Sequence, residues 1–350
     1  MRPDRLLFID NIRIVVISLV VIHHLSMIYS ALIPFYYLEP TINYIAVTVM
    51  MVFQLLNQSY IMGLLFFISG YFTPASFDRK GTRLYLRDRL IRLGVPLLIY
   101  CFVMNPLAAI GSNQYVVAIG PFWFVVMLII FCLIYALFRQ TKTIAAKISN
   151  PPKLSSIILF IIALAALSYL IRFVFPIGQT VFGFPSLYYL PQYISFFALG
   201  IVAYRKDWLR SISGKYGTAG FIAAMASLIL LFIALNPMFG EVFAFSGGGT
   251  LQSGVFALWD SIFAVGICLW LITLFRKRFN FQWDICKTLS QSAFTVYLIH
   301  APIIVMMAQL LRDMSVTPLL KFFIMCCICV PLCFALAYLI RKIPKADRIL

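Results

Sequence analysis

Charged residues are scarce in this sequence, and acidic residues are scarcer still. Charged side chains make up 11% of the 350 residues, and 28 lysines and arginines stand against only 11 aspartates and glutamates. Hydrophobic residues account for 63% of the chain, and the mean hydropathy is +0.99. A soluble domain is roughly half apolar and about a quarter charged. The composition therefore excludes an ordinary soluble protein.

Groups that bind metals are also few. The chain has three histidines and eight cysteines, and most of the cysteines lie within apolar runs. Cysteines in such runs usually serve as small core residues. Three histidines with few carboxylates nearby make a poor metal site, so we predict no bound metal. The sequence also shows no internal repeat.

Long apolar runs fill the rest of the sequence, and a run of about 20 such residues is enough to cross a bilayer. Polar breaks divide these runs into ten predicted helices, near residues 10–32, 42–72, 94–111, 121–138, 154–175, 188–204, 217–236, 252–275, 290–311 and 318–341. The second run is too long for a straight span, so we expect it to tilt, to break, or to begin as an interfacial segment near Gln54, Asn57 and Gln58. The first run is too long for a signal-peptide core and is interpreted as a retained helix. The predicted fold is an all-α polytopic integral membrane protein.

Basic residues are concentrated in alternate connections between these helices. Of the 28 lysines and arginines, 24 lie in four such connections and at the two termini. Arg312 and Lys321 are exceptions, because they fall in a connection on the opposite side. By the positive-inside rule both termini are predicted to be cytoplasmic. The net charge of +17 then reflects topology and attraction to anionic lipid, and its spread over six segments argues against nucleic-acid binding.

The first predicted helix carries ionisable residues that are costly to place in a membrane and therefore indicate a function. They are Asp10, Arg13, His23 and His24. Arg13 and His24 are eleven positions apart, which places them on the same helix face and about 16 Å apart along the axis. Asp10 precedes Arg13 by three residues and can pair with it. His23 points roughly 100° away from His24, so we expect its loss to do less damage.

This face suits a long substrate that has an anionic head and a reactive far end. An acyl-CoA has phosphates at one end and a thioester at the tip of its pantetheine arm. A neutral imidazole at His24 can act as general base toward a hydroxyl that attacks the thioester. The alternative is that His24 merely hydrogen-bonds to a neighbouring helix.

The second connection adds a possible donor-binding feature. Arg89 and Arg92 lie one helical turn apart, just before the chain re-enters the membrane near Pro96. Two guanidinium groups in this position can clamp phosphate oxygens. The alternative interpretation is that they are topogenic charges that contact lipid.

Three further ionisable residues lie in apolar surroundings. Asp260 can pair with Arg172, and a structural pair is favoured over a role in orienting a histidine or binding an acceptor. For His300, in YLIHAPI, hydrogen bonding in the core is favoured over a site role. Gln179, Tyr189 and Gln192 are further candidate acceptor contacts, although such residues are common at membrane interfaces.

Several segments together resemble a known family, the membrane acyltransferase-3 family, and within it the branch of glucan biosynthesis protein C. The matching segments are FIDNIRIVVISLVVIHHLSMIYS, FFISGYF, RLIRLGVP, PFWFVVMLIIF, PQYISFFALGIVAYRKDWL and SAFTVYLIHAPI. They are distributed over nearly the whole chain. The spacing of Arg13 to His24, combined with RxxRxxxP, is fairly specific, whereas SGYF and YLIHAP are individually weak.

The resemblance implies a ten-helix enzyme of the cell membrane that forms one acyltransferase domain over residues 1–350, with no appended soluble domain. Such an enzyme moves an acyl group, of the acetyl or succinyl class, from a cytoplasmic acyl-CoA to a hydroxyl of a glycan or lipid-linked carbohydrate. Arg13 and His24 match its essential residues, and Arg89 and Arg92 match its donor-handling motif. Acyl-CoA is then a co-substrate, and no permanently bound cofactor is implied. Phe122 departs from the family pattern, in which a polar residue or histidine often precedes the tryptophan, and is assigned no role.

Two other classes of function compete with this interpretation. Ten helices with buried charges also suit a transporter or flippase for an anionic or sugar-lipid substrate. Against that class, the two halves of the chain show no matching interrupted helices. A non-catalytic membrane scaffold leaves Arg13 and His24 unexplained.

Overall fold

The computed structural model describes residues 6–39, 41, 43–110, 119–140, 151–236, 238, 243–344, 346 and 349. Helices dominate these ranges, and their β pairing is limited to one isolated bridge between Val181 and Phe184. The α-helices in chain order are α1 Leu7–Ser30, α2 Tyr44–Arg89, α3 Val95–Ile99, α4 Asn105–Ala108, α5 Trp123–Gln140, α6 Leu154–Ile171, α7 Leu190–Arg205, α8 Trp208–Ser211, α9 Gly214–Leu235, α10 Leu251–Arg278, α11 Asp284–Leu310 and α12 Pro318–Arg341. The all-α prediction is confirmed.

Nine helical segments in the described ranges are long and apolar enough to cross a membrane, rather than the ten that were predicted. The difference arises because the predicted helices 42–72 and 94–111 join into one run of 65 residues, Tyr44–Ala108. An ideal helix of that length would extend about 98 Å, roughly three times the hydrocarbon core of a bilayer. The run is interrupted at Gly81, beyond the predicted helix 42–72, where the backbone is non-helical with φ 71° and ψ 171°. The basic connection is otherwise helical, since lysine and arginine favour helices. The chain is a multi-pass membrane protein.

Two π-helical segments interrupt the C-terminal part of this run. They are Leu90–Gly94 and Tyr100–Met104, on either side of α3. Pro96 and Pro106 lie near their ends, and a proline removes one backbone donor from the helical hydrogen-bond pattern. Segments with π geometry are rare and occur often at functional sites. Arg92 lies in the first of them.

The chain forms two compact units. The first unit comprises Met1–Gln58, Arg87–Ile129 and Phe281–Leu350, and the second comprises Ser59–Leu86 and Ile130–Asn280. In the first unit α1 packs against α11 and α12, and α11 also packs against α4. In the second unit α10 packs against α9 and α6.

Buried amides from the start of α2 hold α1 in the first unit. The Gln54 side chain donates from Nε2 to Ser30 Oγ at 2.9 Å, and Asn57 donates from Nδ2 to the carbonyl oxygen of Leu19 at 3.2 Å. Both amide side chains are buried. The amides of this polar stretch are internal hydrogen-bonding groups, which a membrane protein needs because lipid offers no alternative partner.

A buried ion pair explains one of the two exceptions in the charge pattern. Lys321 is buried in α12, where its Nζ donates to Glu39 Oε1 at 2.5 Å and to the carbonyl oxygen of Arg312 at 2.8 Å. The backbone N–H of Glu39 donates to the carbonyl oxygen of Ile28. Lys321 therefore ties the segment after α1 to α12 and is not a solvated loop charge.

Close helix contacts at glycine shape the second unit. A Cβ added at Gly266 in α10 would lie 2.3 Å from the carbonyl oxygen of Gly220 in α9. Small residues allow two membrane helices to approach this closely, which replaces the hydrophobic driving force that lipid does not supply.

Candidate active site

The predicted pair at the start of α1 is present. Arg13 Nη1 lies 3.4 Å from Asp10 Oδ1, and the Arg13 side chain keeps 36% of its exposure, whereas that of Asp10 keeps 11%. A carboxylate at this distance helps to orient the guanidinium, which carries five N–H donors in a planar fork. Because α1 is unbroken from Leu7 to Ser30, the predicted register between Arg13 and His24 is confirmed.

The His24 ring is oriented by its own helix. Its Nδ1 lies 2.9 Å from the carbonyl oxygen of Val20, one turn earlier in α1. A carbonyl oxygen only accepts hydrogen bonds, so Nδ1 carries the hydrogen and the neutral ring has its lone pair on Nε2. Within the described residues Nε2 has no hydrogen-bond partner, and the side chain is half-buried. This nitrogen is available as a base.

A second imidazole, that of His300 on α11, lies beside His24. The two ring centroids are 4.9 Å apart with an interplanar angle of 45°. His300 is fully buried, and its Nδ1 lies 2.8 Å from the carbonyl oxygen of Tyr297. The predicted core hydrogen bond is therefore confirmed. Packing of α11 against α1 also brings His300 to His24, a contact that was not predicted.

The lone pair of His300 also lacks a partner. By the same argument its Nδ1 carries the hydrogen, and its Nε2 is buried with no hydrogen-bond partner in the described part of the chain. A buried polar atom without a partner is costly, so this nitrogen is a candidate for a role beyond packing. Two imidazoles in ring contact thus present uncommitted nitrogens in one place.

His23 has a different environment from His24. Its ring meets that of His24 edge to face, with centroids 5.6 Å apart. Its Nδ1 is buried and has no hydrogen-bond partner among the described residues, and its carbonyl oxygen accepts a hydrogen bond from Ser26. The predicted divergence of the two adjacent histidines agrees with their near-perpendicular rings, and of the two it is His24 whose ring contacts that of His300.

Rings and hydroxyl groups link the two histidines to five further residues in a closed series, which we call the aromatic circuit. Its members in order of contact are His24, Phe35, Tyr36, Tyr100, Phe122, Tyr297 and His300. All seven belong to the first unit. Aromatic pairs at these separations add to the stabilisation from burial alone. Each imidazole therefore has a ring neighbour on two sides: Phe35 and His300 for His24, and Tyr297 and His24 for His300.

Three polar groups anchor one side of the aromatic circuit. Tyr36 Oη donates to Asn105 Oδ1 at 2.6 Å and accepts from Tyr100 Oη at 2.8 Å, since its single hydrogen is already used. Burial raises the pKa of Tyr36 to about 12, so its phenol stays protonated at neutral pH. The hydroxyl groups lie against Gly120, which has φ +41° and where an added Cβ would be 2.2 Å from Tyr36 Oη. Glycine at this position is a steric requirement.

Phe122, which was assigned no role from the sequence, lies in the part of the aromatic circuit between Tyr100 and Tyr297. It is fully buried between the rings of Tyr100, at 4.5 Å and 8°, and Tyr297, at 4.9 Å and 17°. Tyr297 in turn donates its hydroxyl hydrogen to the carbonyl oxygen of Pro121. An apolar ring at this position completes the stack in which a polar side chain would lack a partner.

The two arginines of the basic connection lie in the same unit as His24. Arg89 ends α2 and is half-buried, whereas Arg92 is exposed in the π segment and lies 3.3 Å from Asp88. The i,i+3 separation keeps the two arginines on one side of the helix. Two adjacent guanidinium groups, one partly shielded and one solvated, offer donors that suit phosphate and carboxylate oxygens.

Asp260 and Arg172 lie elsewhere, in the second unit. Arg172 Nη2 lies 3.0 Å from Asp260 Oδ2, and Tyr189 Oη donates to Asp260 Oδ1 at 3.2 Å. All three side chains are buried, and the guanidinium carbon of Arg172 lies 5.1 Å from the ring centroid of Phe256. The predicted structural pair is confirmed. Neither residue contributes to the aromatic circuit.

One signal in the sequence pointed toward His300, although its position could not be inferred. Histidine is rare in this chain, and His300 lies in an apolar helix whose charged residues, Asp284 and Lys287, are confined to its first turn. An ionisable group in that context is a candidate for function. Its proximity to His24 depends on how α1 and α11 pack, and no local pattern reports that.

The fold and this site define a multi-pass membrane protein with a paired-imidazole centre. Residues 6–338, nearly the whole chain, match the family described as Acyltransferase domain. The chain therefore belongs to the acyltransferase-3 family and is a membrane acyltransferase. Comparisons with curated proteins and with solved structures gave no match.

Proposed function

We propose that this enzyme transfers an acyl group, acetyl or succinyl, from cytoplasmic acyl-CoA to a hydroxyl of a glycan or lipid-linked carbohydrate at the cell membrane. The contact between His24 and His300 is the observation that carries the proposal. Their rings lie 4.9 Å apart, and each Nδ1 is held by a backbone carbonyl while Nε2 is uncommitted. General-base chemistry requires such an oriented, available nitrogen.

The transfer balances with these groups. His24 Nε2 takes the proton of the acceptor hydroxyl while the oxygen attacks the thioester carbonyl carbon. The C–S bond then breaks, and the thiolate of CoA takes the proton back from His24. A positioned general base contributes about 10²–10⁴-fold to such a rate. His300 supports this step, since its Nε2 can accept a hydrogen bond from the His24 imidazolium or from the acceptor hydroxyl.

Donor binding is assigned to the arginines of the same unit. Arg13 lies three turns from His24 on one face of α1, about 16 Å away along the axis. That span separates the phosphates of an acyl-CoA from its thioester along an extended arm. Arg89 and Arg92 supply further guanidinium groups, which bind phosphate oxygens in bidentate geometry more readily than lysine does.

Two features favour this proposal over a transporter. The chain belongs to an acyltransferase family, and buried imidazoles with free lone pairs serve proton transfer rather than ion passage. The segments that resemble the glucan biosynthesis protein C branch support the succinyl group as a donor to test beside acetyl.

The experiment is a transfer assay with purified protein, labelled acetyl-CoA and succinyl-CoA, and a panel of glycan acceptors. We expect label to move to an acceptor in the native protein, and His24→Ala to lose transfer while its abundance in the membrane is unchanged. His23→Ala is the matched control and should retain most of the activity. If His24→Ala keeps full activity, the catalytic assignment is wrong.

A second assay tests the donor site directly. In an Arg89→Cys variant, CoA should protect the new thiol from alkylation by a polar maleimide. Dephospho-CoA, which lacks one phosphate, should protect it less. Equal labelling with and without CoA would remove Arg89 from the donor site.

A further inference from the structure

An apolar cavity lies within the second unit, apart from every residue assigned above. Its volume is about 320 Å³, and its wall includes Phe160, Phe196, Trp208, Leu209, Ile212 and Leu269. These residues come from α6, α7, α8 and α10, together with the segment after α8. The size falls at the lower end of the roughly 300–1,000 Å³ range of small-molecule sites.

The wall chemistry selects a hydrocarbon occupant. No charged side chain lines the cavity, and the few polar lining residues include Ser156 and Cys268. A polar ligand placed there would lose its hydrogen bonds with water and gain few in return. A flexible alkyl chain has no hydrogen bonds with water to lose, and it gains dispersion contacts with the aromatic rings.

Cations surround the same helix ends. Arg276 directs its guanidinium at α8 and the residue after it, donating to the carbonyl oxygens of Leu209 at 2.9 Å, Arg210 at 3.0 Å and Ile212 at 2.5 Å. Two of these acceptor residues line the cavity. These three acceptors are backbone carbonyl oxygens and not carboxylates, so these contacts do not neutralise the positive charge of Arg276.

Two lysines extend this positive charge along the cavity. The Lys206 ammonium lies 5.9 Å from the ring centroid of Trp208, a lining residue. Lys153 is exposed and directly follows Pro152, another lining residue. The neighbouring acid Asp78 is already bound by Arg139 and Arg205, at 2.8 Å and 2.7 Å. Asp207 alone does not balance the surrounding cations.

We infer that the cavity holds one acyl chain of an anionic phospholipid, whose phosphate lies against Lys206, Lys153 and Arg276. The helix ends concerned are those predicted to be cytoplasmic, and the cytoplasmic leaflet carries the anionic lipids. An apolar slot beside a cationic rim matches both parts of such a lipid. The site does not depend on the proposed transfer reaction.

Native mass spectrometry of the purified protein in detergent tests the inference, with phosphatidylglycerol and phosphatidylcholine added in equal amounts. The native protein should retain phosphatidylglycerol about 10-fold or more over phosphatidylcholine. Lys153→Gln combined with Lys206→Gln should abolish this preference, whereas Lys215→Gln, an exposed lysine of the same connection, should keep it. Equal retention of both lipids by the native protein would overturn the inference.

A cavity-filling variant tests the acyl-chain part. Leu269→Trp should lower retention of phosphatidylglycerol about 10-fold by displacing apolar contact area. Leu258→Trp, on the same helix but outside the cavity wall, is the matched control. If Leu269→Trp does not elute as a folded monodisperse species, Ile157→Phe replaces it. If a folded cavity-filling variant retains phosphatidylglycerol as well as the native protein does, the acyl-chain site is wrong. Displacement of the lipid by inorganic phosphate alone would also overturn it.

Discussion

The first unit and the second unit each bury ionisable side chains, but they satisfy them differently. In the first unit His24 and His300 each use one nitrogen to bond a backbone carbonyl and leave the other uncommitted. In the second unit Arg172 meets Asp260 at 3.0 Å, and Tyr189 donates to the remaining carboxylate oxygen. A buried charge with a partner holds helices together, whereas a buried lone pair without one can accept a proton.

Under the proposed function, this contrast separates catalytic groups from structural ones. Pairing with an opposite charge lowers the energy of a buried charge. It also occupies both groups, so neither can react with a substrate. A neutral imidazole can be buried at lower cost than an ion, and it keeps its basicity for the substrate. Changes at His24 and His300 should therefore affect turnover, and changes at Arg172 and Asp260 should affect stability.

The largest expected effect is that of His24→Ala. Removing the general base should lower the transfer rate about 10²–10⁴-fold while the melting temperature in detergent stays near that of the native protein. His300→Ala should cause a smaller fall in kcat with little change in the KM for the donor. Steady-state kinetics with labelled acyl-CoA measure both. A large loss of stability in His24→Ala would make this residue architectural, like the pair in the second unit.

The ion pair of the second unit should show the opposite behaviour. Arg172→Met or Asp260→Leu alone should destabilise the protein by about 3–5 kcal/mol, because each leaves an unpaired buried charge. The double variant should recover most of that loss, since it removes both charges. Thermal unfolding of the four proteins gives the coupling energy. Additive losses would show that the two residues act independently.

A glycine substitution probes the aromatic circuit. Gly120→Ala should cost about 1–3 kcal/mol and lower transfer, because its Cβ must displace Tyr36 and the tyrosine hydroxyls around it. Gly94→Ala is the control, as no heavy atom lies within 4 Å of the added Cβ there and its backbone is helical. Thermal stability and transfer activity should both fall in Gly120→Ala, whereas both should stay near the native values in Gly94→Ala. Equal effects would mean that the contacts at Gly120 do not constrain the site.

The smallest effects should come from the donor arginines. Arg13→Gln should raise the donor KM about 10-fold, the loss of one hydrogen bond to a charged group. Arg92→Gln should raise it only about 2- to 5-fold, since its guanidinium is exposed and screened. Both increases should shrink at high salt. Comparable changes for Arg278→Gln, on the second unit, would indicate a general charge effect.

Much of the first helix could be predicted from its residues. The pairing of Asp10 with Arg13 and the alignment of Arg13 with His24 follow from helical periodicity, which acts over a few turns and needs no tertiary contact. The pairing of Arg172 with Asp260 was also predicted, because two lone opposite charges in apolar helices have few other partners. Family membership followed from motifs that are distributed along the chain.

Other features could not be predicted. The basic connection was expected to separate two helices, but it is helical up to and beyond Gly81, since nothing in its composition forbids a helix. Lys321 was counted as a loop charge, yet it is buried against Glu39, 282 residues away in sequence. The polar stretch at Gln54 and Asn57 proved to be internal. The contacts of Lys321, Gln54 and Asn57 depend on partners outside their own local segments.

The sequence by itself determined that this is a multi-pass membrane protein, that α1 carries one face with a cation and an imidazole, and that the chain belongs to the acyltransferase-3 family. Only the tertiary structure decided that His300 meets His24 and that five further residues complete the aromatic circuit around them. The physical reason is range. Hydropathy and helical periodicity are local properties of the chain, whereas the contact of α1 with α11 depends on side-chain packing between segments almost 280 residues apart.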